Sequence, residues 1–202
     1  MKLYYSPGAC SLASHIVLQE LGTPHSLEKV DLRAKTTETG ADFTAVNPKG
    51  AVPALQTAEG VLTEGAAILQ FLADRAGNTD LAPAVGTMAR ARVQELLNFV
   101  ATEVHKAYSP LFNPATTDAT KVDVKANIAR RLGQIESMLG DGRDYLMGSS
   151  MSLADAYVFT VTNWSTMTGV DLTAFPKLQA MRARMAARPA VQAAMRAEGL
   201  IA

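Results

Sequence analysis

Strand and helix signals alternate through the first eighty residues of this 202-residue chain, and after that strand signals stop. That pattern confines the fold to a mixed α/β unit followed by an all-helical one. Lys2 to Tyr5 reads as a short apolar strand. From Cys10 to Leu21, the residues Leu12, Ala13, Ile16, Val17 and Leu21 recur at helical spacing until Gly22 breaks the run, and Leu27 to Leu32 reads as a second strand. A helical or irregular stretch is expected from there to Asn47. Ala54 to Gln56 and Val61-Leu62 flank Ala58-Glu59-Gly60 as a tight hairpin, and Ala66 to Ala76 reads as a helix stopped by Gly77. The order is βαβ, then ββα. From about Met88 onward the helical period takes over, as in Val93, Leu96, Leu97, Val100, Val104, Tyr108 and Leu111. Gly77 to Gly86, which includes Pro83, is the natural linker, so domains are expected over 1–78 and 87–202. With 48% hydrophobic residues, both parts can fill a core without covalent staples.

Charge narrows the possible partners. Nineteen basic residues balance nineteen acidic ones, which argues against nucleic acid or an anionic membrane surface and leaves a small molecule or a protein. No apolar run approaches the length of a bilayer span. The single cysteine makes no intrachain disulfide and no export signal is read at the start, so a cytoplasmic location is expected.

That cysteine, Cys10, follows the turn Ser6-Pro7-Gly8 at the start of the first helix. The open N–H groups and positive dipole end of a helix favour a thiolate there, which makes Cys10 a candidate reactive thiol. The plainer reading is a buried cysteine packing as a small hydrophobe. Ser152 and Asp155, just before an apolar run, have the spacing of a capping box, so Asp155 is read as structural. Met181 and Met185 are one turn apart and face a core. The histidines, His15, His25 and His105, are dispersed without ligand-spaced neighbours, and no metal site is expected.

A βαβ-ββα unit with a thiol at the head of its first helix is the thioredoxin-like arrangement. Val52-Pro53-Ala54, immediately before the third strand, sharpens that reading. In thioredoxin-like proteins this proline is cis, and the residue before it offers its backbone to an extended peptide-like ligand. Three residues after Cys10 stands Ala13, where a dithiol oxidoreductase has its second cysteine, so the thiol partner comes from outside the chain.

From here the chain resembles the glutathione S-transferases, and among them the bacterial beta class. The resemblance runs through Tyr5, Cys10, Lys35, Asn47-Pro48-Lys49-Gly50, Val52-Pro53 and Thr63-Glu64-Gly65. It continues through Asn98-Phe99, Glu103-Val104-His105-Lys106 and Ser152-Leu153-Ala154-Asp155. It implies a glutathione-binding domain over 1–78, with 87–202 forming the electrophile pocket and part of a homodimer interface. Glutathione carries two carboxylates and an ammonium, so its site supplies cations or N–H donors at both ends and one acceptor. By resemblance Glu64 accepts the ammonium, Gly65 presents its N–H to the γ-glutamyl carboxylate, Val52 pairs with the cysteinyl unit and Lys35 meets the glycyl carboxylate. Asn98, Thr102, Glu103, Val104 and His105 also belong to the implied site, with Asn98, Thr102 and His105 spaced to share one helix face. His105 and Lys106 are expected to add positive potential near Cys10. Tyr5 and Ser11 are alternative hydroxyls for activating the glutathione sulfur. The apolar substrate is expected near Tyr108, Leu111, Phe112 and Trp164, all of which also fit a plain core.

The activity so implied is an enzyme's: conjugation of the glutathione thiolate to small apolar electrophiles in detoxification, with Cys10 able to form a mixed disulfide with glutathione. Two other readings stand beside it. One is a glutaredoxin-like thiol-disulfide oxidoreductase or reductive dehalogenase on the same fold. The other is a non-enzymatic member that binds a protein or apolar ligands.

Overall fold

The computed structural model describes residues 1–202. It divides into two compact units, one made of Met1–Ala82 with Ala187–Ala202 and the other of Pro83–Ala186. The last sixteen residues therefore leave the helical domain expected over 87–202 and join the first unit.

In the first unit, β1 (Lys2–Tyr5), β2 (Ser26–Asp31), β3 (Thr36–Thr37), β4 (Ala54–Thr57) and β5 (Gly60–Thr63) form one sheet in the order β3-β2-β1-β4-β5. β1 and β2 run parallel with Tyr5 opposite Lys29, while the other pairs are antiparallel. The hairpin expected at Ala58-Glu59 is present, with Thr57 opposite Gly60. β3 is an addition to the expected βαβ-ββα order; two residues are too few to show any alternation. α1 (Ser11–Glu20) and α2 (Gly65–Arg75) lie within a residue of their expected bounds.

Alternation along β1 assigns the two faces of the sheet. Tyr4 packs with Val30, Phe43, Val52 and Ala54, and its hydroxyl donates to Gln56 Oε1 (3.0 Å). Leu3 and Tyr5 point the other way, where the Tyr5 ring meets His15 of α1. α8 (Pro189–Ala197) packs on α1, which is why the chain end belongs here. Arg188 reaches both carboxyl oxygens of Glu20 (2.6 and 2.8 Å), a bidentate geometry that fixes the approach of α8.

The second unit is helical, as expected. α3 (Met88–Phe99) runs directly into a π-helical turn over Val100–His105, then α4 (Lys106–Tyr108) and a 3-10 turn over Ser109–Phe112. α5 (Asp118–Met138), α6 (Leu153–Thr168) and α7 (Pro176–Ala186) complete it. α6 is buried over nearly its whole circumference, as its apolar sequence requires of a central helix. Met181 and Met185 are fully buried. Asp155 is the structural cap expected: its carboxyl accepts from Ser152 N–H (2.8 Å), Ser152 Oγ (2.7 Å) and Leu146 N–H (2.8 Å). No helix is long and apolar enough to cross a membrane.

Candidate active site

β1 ends at Tyr5, and the chain turns through Ser6-Pro7-Gly8-Ala9 to place Cys10 as the N-cap of α1. Ala9 N–H closes the turn on Ser6 O (3.0 Å), and Gly8 adopts φ +70°, a conformation that disfavours any side chain. The Cys10 thiol donates to the carbonyl oxygen of Val52 (3.1 Å), across a Val52–Pro53 peptide bond that is cis, as the thioredoxin-like reading expected. Two sequence-distant candidates, Cys10 and Val52, are thus in direct contact.

Ser11 does not fit the role of alternative activator. It is fully buried and its hydroxyl is engaged with Ser6, accepting from the N–H (3.2 Å) and donating to the carbonyl (3.3 Å). Tyr5 is buried as well. Burial, with Glu38 and Glu198 nearby, raises the pKa of its phenol and keeps it a neutral donor. Beside this turn, a groove of about 500 Å³ opens at the carboxyl ends of β1 and β2, lined by Ser6, Val30, Asp31, Leu32 and Glu38 among others.

The ionic candidates are held by strained backbone. Lys35 (φ +60°) and Glu64 (φ +71°) are the two non-glycine residues with left-handed φ in the chain. Such a conformation costs of order 1 kcal/mol or more and gathers at functional positions. Lys35 Nζ donates to Gly50 O (2.7 Å), and a Cβ on Gly50 would stand 3.2 Å from the Lys35 stem, so glycine there leaves room for the lysine. Glu64 is the N-cap of α2 but its side chain does not cap the helix; its carboxyl is taken by Lys49. Gly65 then opens α2.

In the helical unit the candidates gather on one segment but not as an α-helical face. The π turn binds i to i+5, so the four- and three-residue spacing of Asn98, Thr102 and His105 does not keep its α-helical meaning. Thr102 Oγ1 donates to Asn98 O (3.0 Å), Glu103 pairs with Arg131 of α5, and the Val104 side chain is fully buried as core. His105 Nδ1 shares a hydrogen bond with Tyr157 Oη (2.7 Å), and its ring meets Trp164 edge-on at 4.9 Å. Burial, reinforced by Lys106, lowers its pKa to about 4. It is therefore neutral at pH 7 and adds no positive charge, contrary to the expectation from sequence. Trp164 centres an aromatic cluster with His105, Tyr108 and Phe112. Tyr108 is plain core, fully buried with its hydroxyl on Ser165 (2.7 Å), while Phe112 is exposed.

One participant carried no sequence signal. Glu198, just past α8, is buried with one carboxyl oxygen on Gly8 N–H (2.9 Å) and the other on His15 Nδ1 (2.9 Å). It clasps the turn that delivers Cys10 from 190 residues away, a separation at which no spacing rule operates.

Residues 8–75 match the glutathione S-transferase N-terminal domain and residues 99–189 its C-terminal domain. Over 201 residues the chain is 45% identical to glutathione S-transferase GstA of Escherichia coli O157:H7, covering 99% of this chain and all of that one. The chain belongs to the glutathione S-transferase family. A bacterial beta-class glutathione S-transferase from Sphingomonas chungbukensis superposes with a TM-score of 0.95 at 44% identity, and a sphingomonad glutathione S-transferase complexed with glutathione with 0.94 at 45%; each comparison covers both chains completely. This glutathione S-transferase is thus an enzyme of the beta-class type that uses glutathione as co-substrate. No group of three or more His, Cys, Asp or Glu side chains gathers in it that could hold a metal ion.

Proposed function

We propose that this transferase conjugates glutathione to small apolar electrophiles in detoxification, as a cytoplasmic homodimer. The observation that carries the residue roles is the left-handed backbone of Lys35 and Glu64, the two side chains the family resemblance assigns to the ionic ends of glutathione. Strain at just these positions is what a preorganised ligand clamp would hold. Lys35 then meets the glycyl carboxylate, Val52 the cysteinyl backbone, Glu64 the γ-glutamyl ammonium and Gly65 N–H its carboxylate. Within the helical unit, the segment that carries Asn98, Thr102 and Glu103 holds His105 as a neutral hydrogen-bonding ring. The exposed Phe112 beside Trp164 offers apolar surface for the electrophile.

A second activity rests on the half-buried Cys10 thiol standing as the N-cap of α1, where the positive end of the helix favours its thiolate. On meeting a glutathionylated disulfide, the Cys10 thiolate attacks the glutathionyl sulfur and expels the other thiol as its thiolate. A glutathione thiolate then attacks the mixed disulfide, releasing glutathione disulfide and restoring Cys10.

The test is the rate of glutathione conjugation to a chlorinated dinitrobenzene in the wild type and in Cys10→Ala. A loss of most of the rate at unchanged fold makes Cys10 part of the conjugation machinery. A retained rate restricts Cys10 to thiol transfer, and an inactive wild type overturns the conjugation reading.

A further inference from the structure

Glu64, the proposed acceptor of the γ-glutamyl ammonium, already holds an ammonium group of the chain's own. Lys49 Nζ lies 2.5 Å from Glu64 Oε1 and donates to Thr63 Oγ1 (3.0 Å). The lysine is aimed there by its loop. Asn47, itself buried, accepts Lys49 N–H on Oδ1 (3.1 Å) and fastens the loop by donating Nδ2–H to Ala51 O (2.6 Å). Both side chains of the pair are exposed, so a ligand can reach either charge. With the Glu64 carboxyl turned to Lys49, no side chain caps α2, and its first N–H groups face the same corner.

Carboxylate, ammonium and open helix N–H groups at one corner are the complement of an α-amino-acid zwitterion. We propose that Lys49 is the resident counter-ion of Glu64 and that the γ-glutamyl end of glutathione binds by ion-pair exchange. The substrate ammonium takes Glu64, and Lys49 moves to the substrate α-carboxylate beside Gly65 N–H. This rests on the glutathione reading of Glu64 and adds what that reading lacks, a cation for the second charge of the zwitterion. A zwitterion replaces the one ion pair of the free site with two, whereas a ligand that brings only an ammonium breaks the Lys49–Glu64 pair to form one in its place and leaves Lys49 unpaired. Lys49 is therefore a specificity determinant for a free α-amino-acid terminus.

The test is calorimetric binding to the full chain of glutathione and of 4-aminobutanoyl-cysteinyl-glycine, which keeps the ammonium and lacks the α-carboxylate. Lys49→Met removes one ion pair from the free site and one from the glutathione complex, so glutathione is expected to bind within about twofold of the wild type, while the decarboxylated analogue, which no longer has to displace Lys49, tightens about two- to fivefold, the scale of an exposed ion pair. Lys49→Arg should retain the wild-type order of the two ligands. An analogue that binds Lys49→Met no more tightly than the wild type, or a glutathione affinity that rises as much as the analogue's, overturns the exchange while leaving the glutathione reading intact. Glu64→Gln separates the two levels. If it leaves glutathione binding unchanged, Glu64 does not receive the ammonium, and the reading on which the exchange rests fails.

Discussion

At the scale of single residues, the site depends on groups that are held rather than merely present. Cys10 is delivered by a turn that cannot bear a side chain at Gly8, and Gly8 is clasped by Glu198. Glu198→Ala would remove the acceptor from the fully buried His15 Nδ1 and from the half-buried Gly8 N–H, a loss of about 2 kcal/mol of stability. The same change loosens the Cys10 turn, so conjugation should fall by more than the unfolded fraction explains, with an altered KM for glutathione. Urea unfolding and steady-state rates at matched folded fraction check this. A midpoint within error of the wild type would show that the clasp carries no energy. The residue scale is also where sequence and structure part most. Cys10 is legible as a candidate because it is a thiol at a helix start, while Val52, Lys35 and Glu64 acquire a role in the sequence only through the family resemblance, and Lys35 taken alone reads as an ordinary solvated lysine. Ser11 and Val104 look equally eligible in the sequence, yet burial removes both side chains from ligand chemistry. Burial is a property of packing, which one-dimensional spacing does not carry.

At the scale of elements, most bounds were legible within one or two residues, because Gly22, the Ala58-Glu59 turn and Gly77 punctuate the pattern locally. β3 and the π turn were not. β3 exists only through its pairing with β2, and the π turn preserves the apolar positions Val100 and Val104 while changing the hydrogen-bond step, so the sequence still scans as α-helix. The cap of α6 was legible, since Ser-x-x-Asp is a local signal. Its energetic weight comes from tertiary structure. Asp155 satisfies Ser152 N–H and also Leu146 N–H from the preceding loop, so it anchors that loop as well as the helix. Asp155→Ala would orphan both buried donors and should cost about 3 kcal/mol, above the roughly 1 kcal/mol of an ordinary exposed cap. A chevron or equilibrium urea curve reads this directly. A cost no larger than that of Ser152→Ala would reduce Asp155 to an ordinary cap.

At the scale of the molecule, the chain end belongs to the first unit because α8 packs on α1, a choice that no composition shift near residue 187 announces. The equal counts of acidic and basic residues leave little net repulsion near neutral pH, so the acid limb of stability is set by individual groups. Hydrogen bonds hold Asp31, Asp42, Asp118, Asp141 and Asp171 below the usual carboxylate range, so these groups stay ionised well below pH 5. His105 titrates in the same range and with a definite sign. Its folded pKa of about 4 lies below the ordinary 6.5, so the unfolded chain binds the proton more readily and stability rises with pH across that interval. The contribution is complete above pH 6.5, declines as the pH falls toward 4, and should amount to about 2 kcal/mol between pH 7 and pH 5. His105→Gln keeps a neutral polar side chain but no titration, so its unfolding free energy should be flatter than the wild type's by that amount over the same interval. Parallel slopes for the two proteins would mean that the buried ring at the Tyr157 hydroxyl takes up its proton without cost, and that the neutral state assigned to His105 at the site is wrong.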